Sequence, residues 1–280
     1  MAKVFLNEGL VDATEAAIAH NDSGFLYGMG LFETMRCHRG KVFRLDDHLN
    51  RLLASARTLS IEHGYDRGQL ADAIRMLLEA NGLTEARLRL TLTSGPPRAE
   101  GEAKATLLIT ATDFEPYPSE YYERGVRVVL TEARQNPTDP LSGHKSTCYA
   151  SRLIVLGAAH RKLAAEALWF TTDNRLAEGC ISNVFLVKDG KVYTPGAAAG
   201  ILPGIARKTV LELAAAVNIA LEEKDLTVHD LLGADEVFIT NVVMLVLPVV
   251  AVEAHTVGDG KPGPVTKRVL TLFNEYVATQ

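Results

Sequence analysis

The sequence predicts an α+β protein in two domains. Segments with period-two alternation, such as "ARLRLTLT", recur beside segments with helical spacing, such as "RLDDHLNRLLASARTLSI". The two kinds do not alternate one for one, as a doubly wound sheet requires. The division follows from "DFEPYPSEYYERG", residues 113–125, where two prolines, several charges and a glycine break every period. Residues 116–125 are therefore expected to link a domain over 1–115 to one over 126–280. With 280 residues, 47% of them apolar, there is chain enough for a core in each.

Taken in order, "KVFLN" reads as an opening strand. "RLDDHLNRLLASARTLSI" sets Leu45, Leu49, Leu52, Leu53, Ala56 and Leu59 on one helical face. "RGQLADAIRMLLEANG" is a second amphipathic helix that ends at Gly82, a residue suited to the left-handed cap. "ARLRLTLTSG" is a half-buried strand with Ala86, Leu88, Leu90 and Leu92 facing one way and Arg87, Arg89, Thr91 and Thr93 the other. "ATLLITAT" and "VRVVLTEA" are further strands. A polar run containing Lys145 then leads into an alanine-rich apolar stretch, read as a buried helix with the lysine at its entry. "NVFLVKDGKVYTP" is a hairpin turning at Asp189-Gly190. "LPGIARKTVLELAAAV" is a glycine-led helix, "DEVFITNVVMLVLPVVAV" is strand-rich, and "GPVTKRVLTLFNEYV" is a closing helix.

Composition removes several function classes. The net charge is −5 with no basic stripe, so nucleic acid is not an expected partner. No run of eighteen apolar residues is present, so no membrane span is expected. The opening residues lack the layout of a signal peptide. Cys37, Cys148 and Cys180 are odd in number and far apart, which fits reduced thiols and a cytoplasmic location. Gly24, Gly28 and Gly30 have the wrong spacing for a dinucleotide fold, and the scattered histidines suggest no metal centre.

Three segments carry chemistry. In "SGHKSTCYASRLIVLGAAH", Lys145 is either a solvent-reaching lysine or, if desolvated, an amine nucleophilic toward carbonyls. In "RLAEGCISNVFLV", Glu178 precedes a sharp turn at Gly179, with Ser182 and Asn183 opening the next strand. A carboxylate there is either solvated or placed to keep a cofactor ring nitrogen protonated. In "GILPGIARKTVLELAAAV", Gly204 starts a helix whose first N–H groups, on Ile205 and Ala206, suit an anion as well as a plain turn. Arg51 is either part of a solvated helix face or a fixed positive charge for a phosphate, and "ITNVV", with Asn241 and Val242, could add backbone donors. Amine, carboxylate and anion site are the three needs of pyridoxal phosphate.

In their order along the chain, "SGFLYGMGLFETMR", "HLNRL", "GHKSTCY", "AEGCISNVFLV", "TPGAAAGILPGIAR", "ADEVFITN" and "GPVTKR" resemble the fold-type IV pyridoxal-phosphate enzymes, the class IV aminotransferase family. The resemblance covers nearly the whole chain. It implies a small N-terminal α/β domain and a larger C-terminal domain with a barrel-like core. It implies pyridoxal 5'-phosphate as cofactor and Lys145 as its Schiff-base lysine and proton shuttle. Glu178 would pair with the pyridine nitrogen and Tyr149 with the phenolic oxygen, four residues after the lysine where branched-chain enzymes have five. Arg51 and backbone groups of Ile205, Ala206 and Val242 would hold the phosphate, and Leu202 would pack under the ring. Ala206 and Val242 lack the hydroxyl that the family often has there. Tyr27 and Phe32 would line the substrate pocket, with Thr34 beside them, in a homodimer whose active site lies at the interface.

The resemblance divides over the reaction. "GFLYGMGLFETMR" and "TNVVMLVLPV" look most like aminodeoxychorismate lyases. "GPPRAEG" sets Arg98 where D-amino acid aminotransferases bind a carboxylate, with Glu100 in place of their histidine. The arginine-proline strand of branched-chain enzymes reads "RLRLTLTSG" here, although the tail resembles theirs. The expectation is a transaminase between a small amino acid or amine and a 2-oxo acid. The lyase that forms 4-aminobenzoate and pyruvate is the alternative, with a non-catalytic relative behind both.

Overall fold

The computed structural model describes residues 1–97 and 105–279. The chain divides into two compact units, Met1–Glu115 with His144–Tyr149, and Pro116–Gly143 with Ala150–Thr279. Residues 116–125, expected as a linker, belong to the second unit and carry helix α4 (Ser119–Arg124), so the breaks in period mark a short helix. The strands of the first unit are β1 (Lys3–Leu6), β2 (Gly9–Asp12), β3 (Gly30–His38), β4 (Lys41–Val42), β5 (Ala86–Thr93) and β6 (Thr106–Asp113). They form one sheet in the order β2-β1-β6-β5-β3-β4. Its helices are α1 (Ser23–Tyr27), α2 (Leu45–Thr58) and α3 (Arg67–Asn81).

The alternation in "ARLRLTLT" does what period two requires. Ala86, Leu88, Leu90 and Leu92 are buried in a core with Leu49, Leu52 and Ala56 of α2 and Leu70, Ile74 and Leu77 of α3. Arg87 and Arg89 are exposed on the opposite face. Helix α3 starts in a capping box between Asp66 and Gln69 and ends at Gly82 in the left-handed region, as expected.

Thr93 departs from its row of polar side chains. Its hydroxyl donates to Asp22 Oδ2 at 2.9 Å, and Thr106 donates to the same oxygen at 2.6 Å. Asp22 also caps α1, accepting from Gly24 N at 2.7 Å and Phe25 N at 3.4 Å. A fully buried carboxylate is stable here because every contact on it is a donor.

The second unit holds β7 (Val126–Gln135), α5 (Ala150–Arg161), β8 (Glu166–Thr171), β9 (Leu176–Gly179), β10 (Asn183–Lys188), β11 (Lys191–Thr194), α6 (Ile205–Ala216), β12 (Leu221–Glu223), α7 (Val228–Leu232), β13 (Glu236–Asn241), β14 (Leu245–Val252), β15 (His255–Thr256) and α8 (Pro264–Thr279). The sheet runs β12-β11-β10-β13-β14-β7-β8-β9, with β15 on β14. Strands β10 and β11 turn at Asp189 and Gly190, both at positive φ as a two-residue hairpin loop demands. Strands β7 and β8 are parallel, so the chain must return to its starting end between them. That crossover, residues 136–165, contains Lys145 and α5.

Helix α5 is not the buried helix its composition predicts. Leu156 and Ala159 are buried, whereas Leu153 and Ile154 are 57% and 70% exposed. Its alanines and leucines run round the helix without one stripe, so composition could not say which side is covered. Among the described residues no helix is long and apolar enough to cross a membrane, and no group of histidine, cysteine and acidic side chains is placed to hold a metal.

Asp22→Ala is expected to lower the urea unfolding free energy by about 1–3 kcal/mol, because it removes a helix cap and strands two buried hydroxyls. An unchanged midpoint and slope would show that these bonds add nothing net.

Candidate active site

Lys145 does not enter a helix. Helix α5 begins only at Ala150, and the lysine segment instead pairs with β3. Strand β4 covers only Cys37 and His38, which leaves the edge of β3 open at Gly30–Phe32. The segment takes that edge: Phe32 N donates to Lys145 O at 2.9 Å, Thr147 N donates to Gly30 O at 2.8 Å, and Leu31 faces Ser146. The Thr147 hydroxyl donates to Gly28 O at 2.7 Å. Gly28 sits at φ 70°, and a β-carbon there would strike Cys148 Sγ at 2.5 Å, so only glycine fits.

The Lys145 amine lies 4.5 Å from the centroid of Phe32 and 5.7 Å from that of Tyr149. The two rings meet edge to face at 5.2 Å. Phe32 is buried, while Tyr149, Lys145 and Thr34 are partly exposed. The structure thus brings Lys145, Phe32 and Tyr149 together, with Thr34 two residues along β3. Tyr27 stands apart on α1, 67% exposed. Arg98, expected to bind a carboxylate, and Glu100 lie outside the described residues.

Arg51 has a partner that the sequence did not announce. It reaches Glu33 with Nε at 2.8 Å and Nη2 at 2.5 Å, a two-pronged contact. His48 Nδ1 meets Glu33 Oε2, the oxygen that Arg51 Nη2 also contacts, at 2.7 Å, and His48 and Glu33 are both buried. Burial alone would raise the Glu33 pKa, but Arg51 and His48 outweigh it and hold the carboxyl at about 2. Burial lowers the His48 pKa against the pull of Glu33, with Arg51 and Lys145 adding to the fall. The neutral ring therefore donates from Nδ1 to the carboxylate.

In the second unit, Glu178 closes β9 and is 4% exposed. Its Oε1 accepts from Arg152 Nη2 at 2.6 Å, and its Oε2 accepts from Leu202 N at 2.9 Å and Asn183 Nδ2 at 3.3 Å. Asn183 also donates to Leu202 O at 2.9 Å, so three of the expected residues form one network. Arg152 is tied in turn to Gln135 Oε1 at 3.0 Å and Gly179 O at 2.8 Å. Ser182 faces another way: its hydroxyl donates to buried Glu166 at 3.0 Å. Glu166 also accepts from Cys180 N at 2.9 Å and Ile181 N at 3.1 Å, which freezes the turn after Glu178.

Gly204 caps α6 with no side-chain bond, so the N–H groups of Ile205 and Ala206 are free of a cap. A β-carbon on Gly204 would collide with the Asn183 amide oxygen, which keeps that helix end bare. At the end of β13, Asn241 accepts from Val243 N and Met244 N, both at 2.9 Å, and donates to Ile181 O at 3.2 Å. Val242 is buried beside it. Glu33, His48, Gln135, Arg152 and Glu166 were missed because each acts through partners distant in sequence. Glu33, His48 and Arg152 stand within the motifs named above, but nothing local shows what they touch.

Stability drawn from Glu33 is expected to be complete above its ordinary pKa of 4.5 and to fade as pH falls toward 2. In urea titrations the gap between wild type and Glu33→Gln should be constant above pH 5 and shrink below 4. A gap that stays constant down to pH 3 would mean the carboxyl is not held low.

The family model for class IV amino-transferases matches residues 30–252. A D-alanine aminotransferase from Staphylococcus haemolyticus is 30% identical over 285 residues, covering 100% of this chain and 99% of the relative. A branched-chain amino acid aminotransferase structure from Escherichia coli superposes with a TM-score of 0.92 at 29% identity, over 98% of this chain and 93% of that one. A branched-chain aminotransferase from the archaeon Thermoproteus uzoniensis, solved with norvaline, gives 0.89 at 27% identity over 99% and 95%. A family model over residues 30–252, with relatives and structures alike along the whole chain, leaves one assignment: the chain belongs to the class IV aminotransferases.

Proposed function

We propose that the enzyme binds pyridoxal 5'-phosphate and moves an amino group between a small amino acid and a 2-oxo acid. The observation that carries this reading is Lys145, whose backbone is pinned to β3 and whose amine rests on Phe32 and Tyr149. Bound pyridoxal phosphate supplies an aldehyde for an amine to join and a ring that takes up the electrons left by a departing α-proton.

The chain's residues fit that group. Lys145 would supply the amine and hold the transferred proton at Nζ. Glu178, fixed by three donors, would accept from the ring nitrogen. The bare N-terminus of α6, with Ile205 and Ala206, would hold phosphate, as would Arg51 and backbone groups near Val242. Leu202 would pack against the ring, Tyr149 would donate to its phenolic oxygen, and Ser182 and Asn241 would hold the turns in shape. Tyr27, Phe32 and Thr34 line the substrate side. The protein acts in the cytoplasm as a homodimer. The exposed Phe25 and Tyr27 of α1, and Leu153 and Ile154 of α5, support a partner that covers them.

The purified protein incubated with pyridoxal phosphate should turn yellow, bleach with one amino donor and regain colour with a 2-oxo acid. A yellow protein that ignores every amino acid but releases pyruvate from aminodeoxychorismate would be the lyase. Lys145→Ala should show no borohydride-trapped cofactor and no turnover while keeping the wild-type circular dichroism spectrum. Turnover in that variant would end the mechanism.

A further inference from the structure

Arg152 stands where local forces disfavour it. It is the third residue of α5, in the first turn, and the helix dipole opposes a cation there. Its side chain turns inward all the same. Nη2 donates to Glu178 Oε1 at 2.6 Å and to Gln135 Oε1 at 3.0 Å, and Nη1 donates to Gly179 O at 2.8 Å. The guanidinium carbon lies 5.5 Å from the ring centroid of Trp169, which is buried and donates from Nε1 to Cys180 Sγ at 3.2 Å. Gln135 is fixed in turn, its Nε2 donating to Gly200 O. All of these groups belong to the second unit. The cation is therefore clamped by a ring, an amide and a carbonyl, and its place beside Glu178 does not depend on Glu178 alone.

Position alone does not call for an arginine, because Leu202 N and Asn183 Nδ2 already fix the other oxygen of Glu178. What the arginine adds is charge. A buried carboxyl and a ring nitrogen that share one proton have two forms: a carboxylate beside a protonated ring, or a neutral acid beside a neutral ring. A setting poor in water favours the neutral pair, since separated charges are costly there. A cation on the carboxylate reverses that balance, because it touches the anion directly and the ring only through it. We propose that Arg152 is a positioning residue for this proton: acting through Glu178, it keeps the shared proton on the cofactor's ring nitrogen. The N–H bond forms as the O–H bond breaks, and nothing else is gained or lost. The protonated ring takes up electrons best, so the ease of removing the α-proton follows from the arginine. The inference rests on the pyridoxal-phosphate reading of Glu178.

The test loads the enzyme with pyridoxal phosphate isotopically labelled at the ring nitrogen and reads that nitrogen by NMR, whose shift separates a protonated ring from a bare one. Wild type should give the protonated value. Arg152→Met should move the signal toward the unprotonated value and lower kcat roughly 10- to 100-fold, the size expected for a lost charge-assisted bond. Arg152→Gln keeps a donor for Glu178 without the charge; it should move the signal likewise, and it stands in if the methionine variant does not fold. Arg152→Lys should bring the signal back toward wild type. Three results would overturn the proposal: an unprotonated ring in the wild type, a signal that stays in place when the charge is removed even if turnover falls, or a displaced signal that Arg152→Lys does not move back. The cofactor reading fails in a different way. A wild type that retains no labelled cofactor ends that reading and this inference with it, whereas a loaded, active wild type whose neutral variants keep a protonated ring ends this inference alone.

Discussion

Holding one amine at a fixed point is first a problem for the backbone, and the open edge of β3 solves it. A lysine side chain has four rotatable carbons, so the amine is only as well placed as its Cα and its walls. Two main-chain bonds between Gly30–Phe32 and Lys145–Thr147 set the Cα. Phe32, whose own N–H makes one of those bonds, also supplies the wall. The strand that positions the lysine and the ring that receives it are therefore the same piece of chain. The tight approach at Gly28 follows, because a segment laid along β3 leaves no space for a side chain there.

Buried carboxyl groups are handled by one rule in both units. Glu33, Glu166 and Glu178 are each surrounded by donors, and none relies on a single ion pair. A buried carboxylate is tolerated when nearly every lone pair is met, and becomes costly when one partner is removed. Arg51 and Arg152 are held in place by two of those carboxylates, Glu33 and Glu178. Arg89 differs: its guanidinium rests on the face of Phe32.

Much of the fold was legible because periodicity reports burial directly. The alternation of β5, the stripe of α2 and the cap at Gly82 needed no knowledge of the rest of the chain. Lys145 and Glu178 were legible because polar residues set between apolar runs ask for a reason. What covers a surface was not legible: helix α5 is apolar in composition, yet its own chain leaves Leu153 and Ile154 bare. Nor was the state of a sheet edge, since only the short span of β4 shows that β3 has room for the lysine segment. Contacts such as Arg152 with Gln135 join residues that no local window holds together.

The lysine segment also determines how the molecule can be divided. His144–Tyr149 groups with the first unit, although the chain on either side of it belongs to the second. A cut near residue 115 would look natural on the sequence, but the N-terminal fragment would lack the piece that completes its own sheet. The N–H of Phe32 and the carbonyl of Gly30 would then lie bare on an edge, beside an apolar core. Such an edge pairs readily with another chain. The segment that bears the amine thus also shields a strand edge, and the two units, compact as each is, are not interchangeable modules.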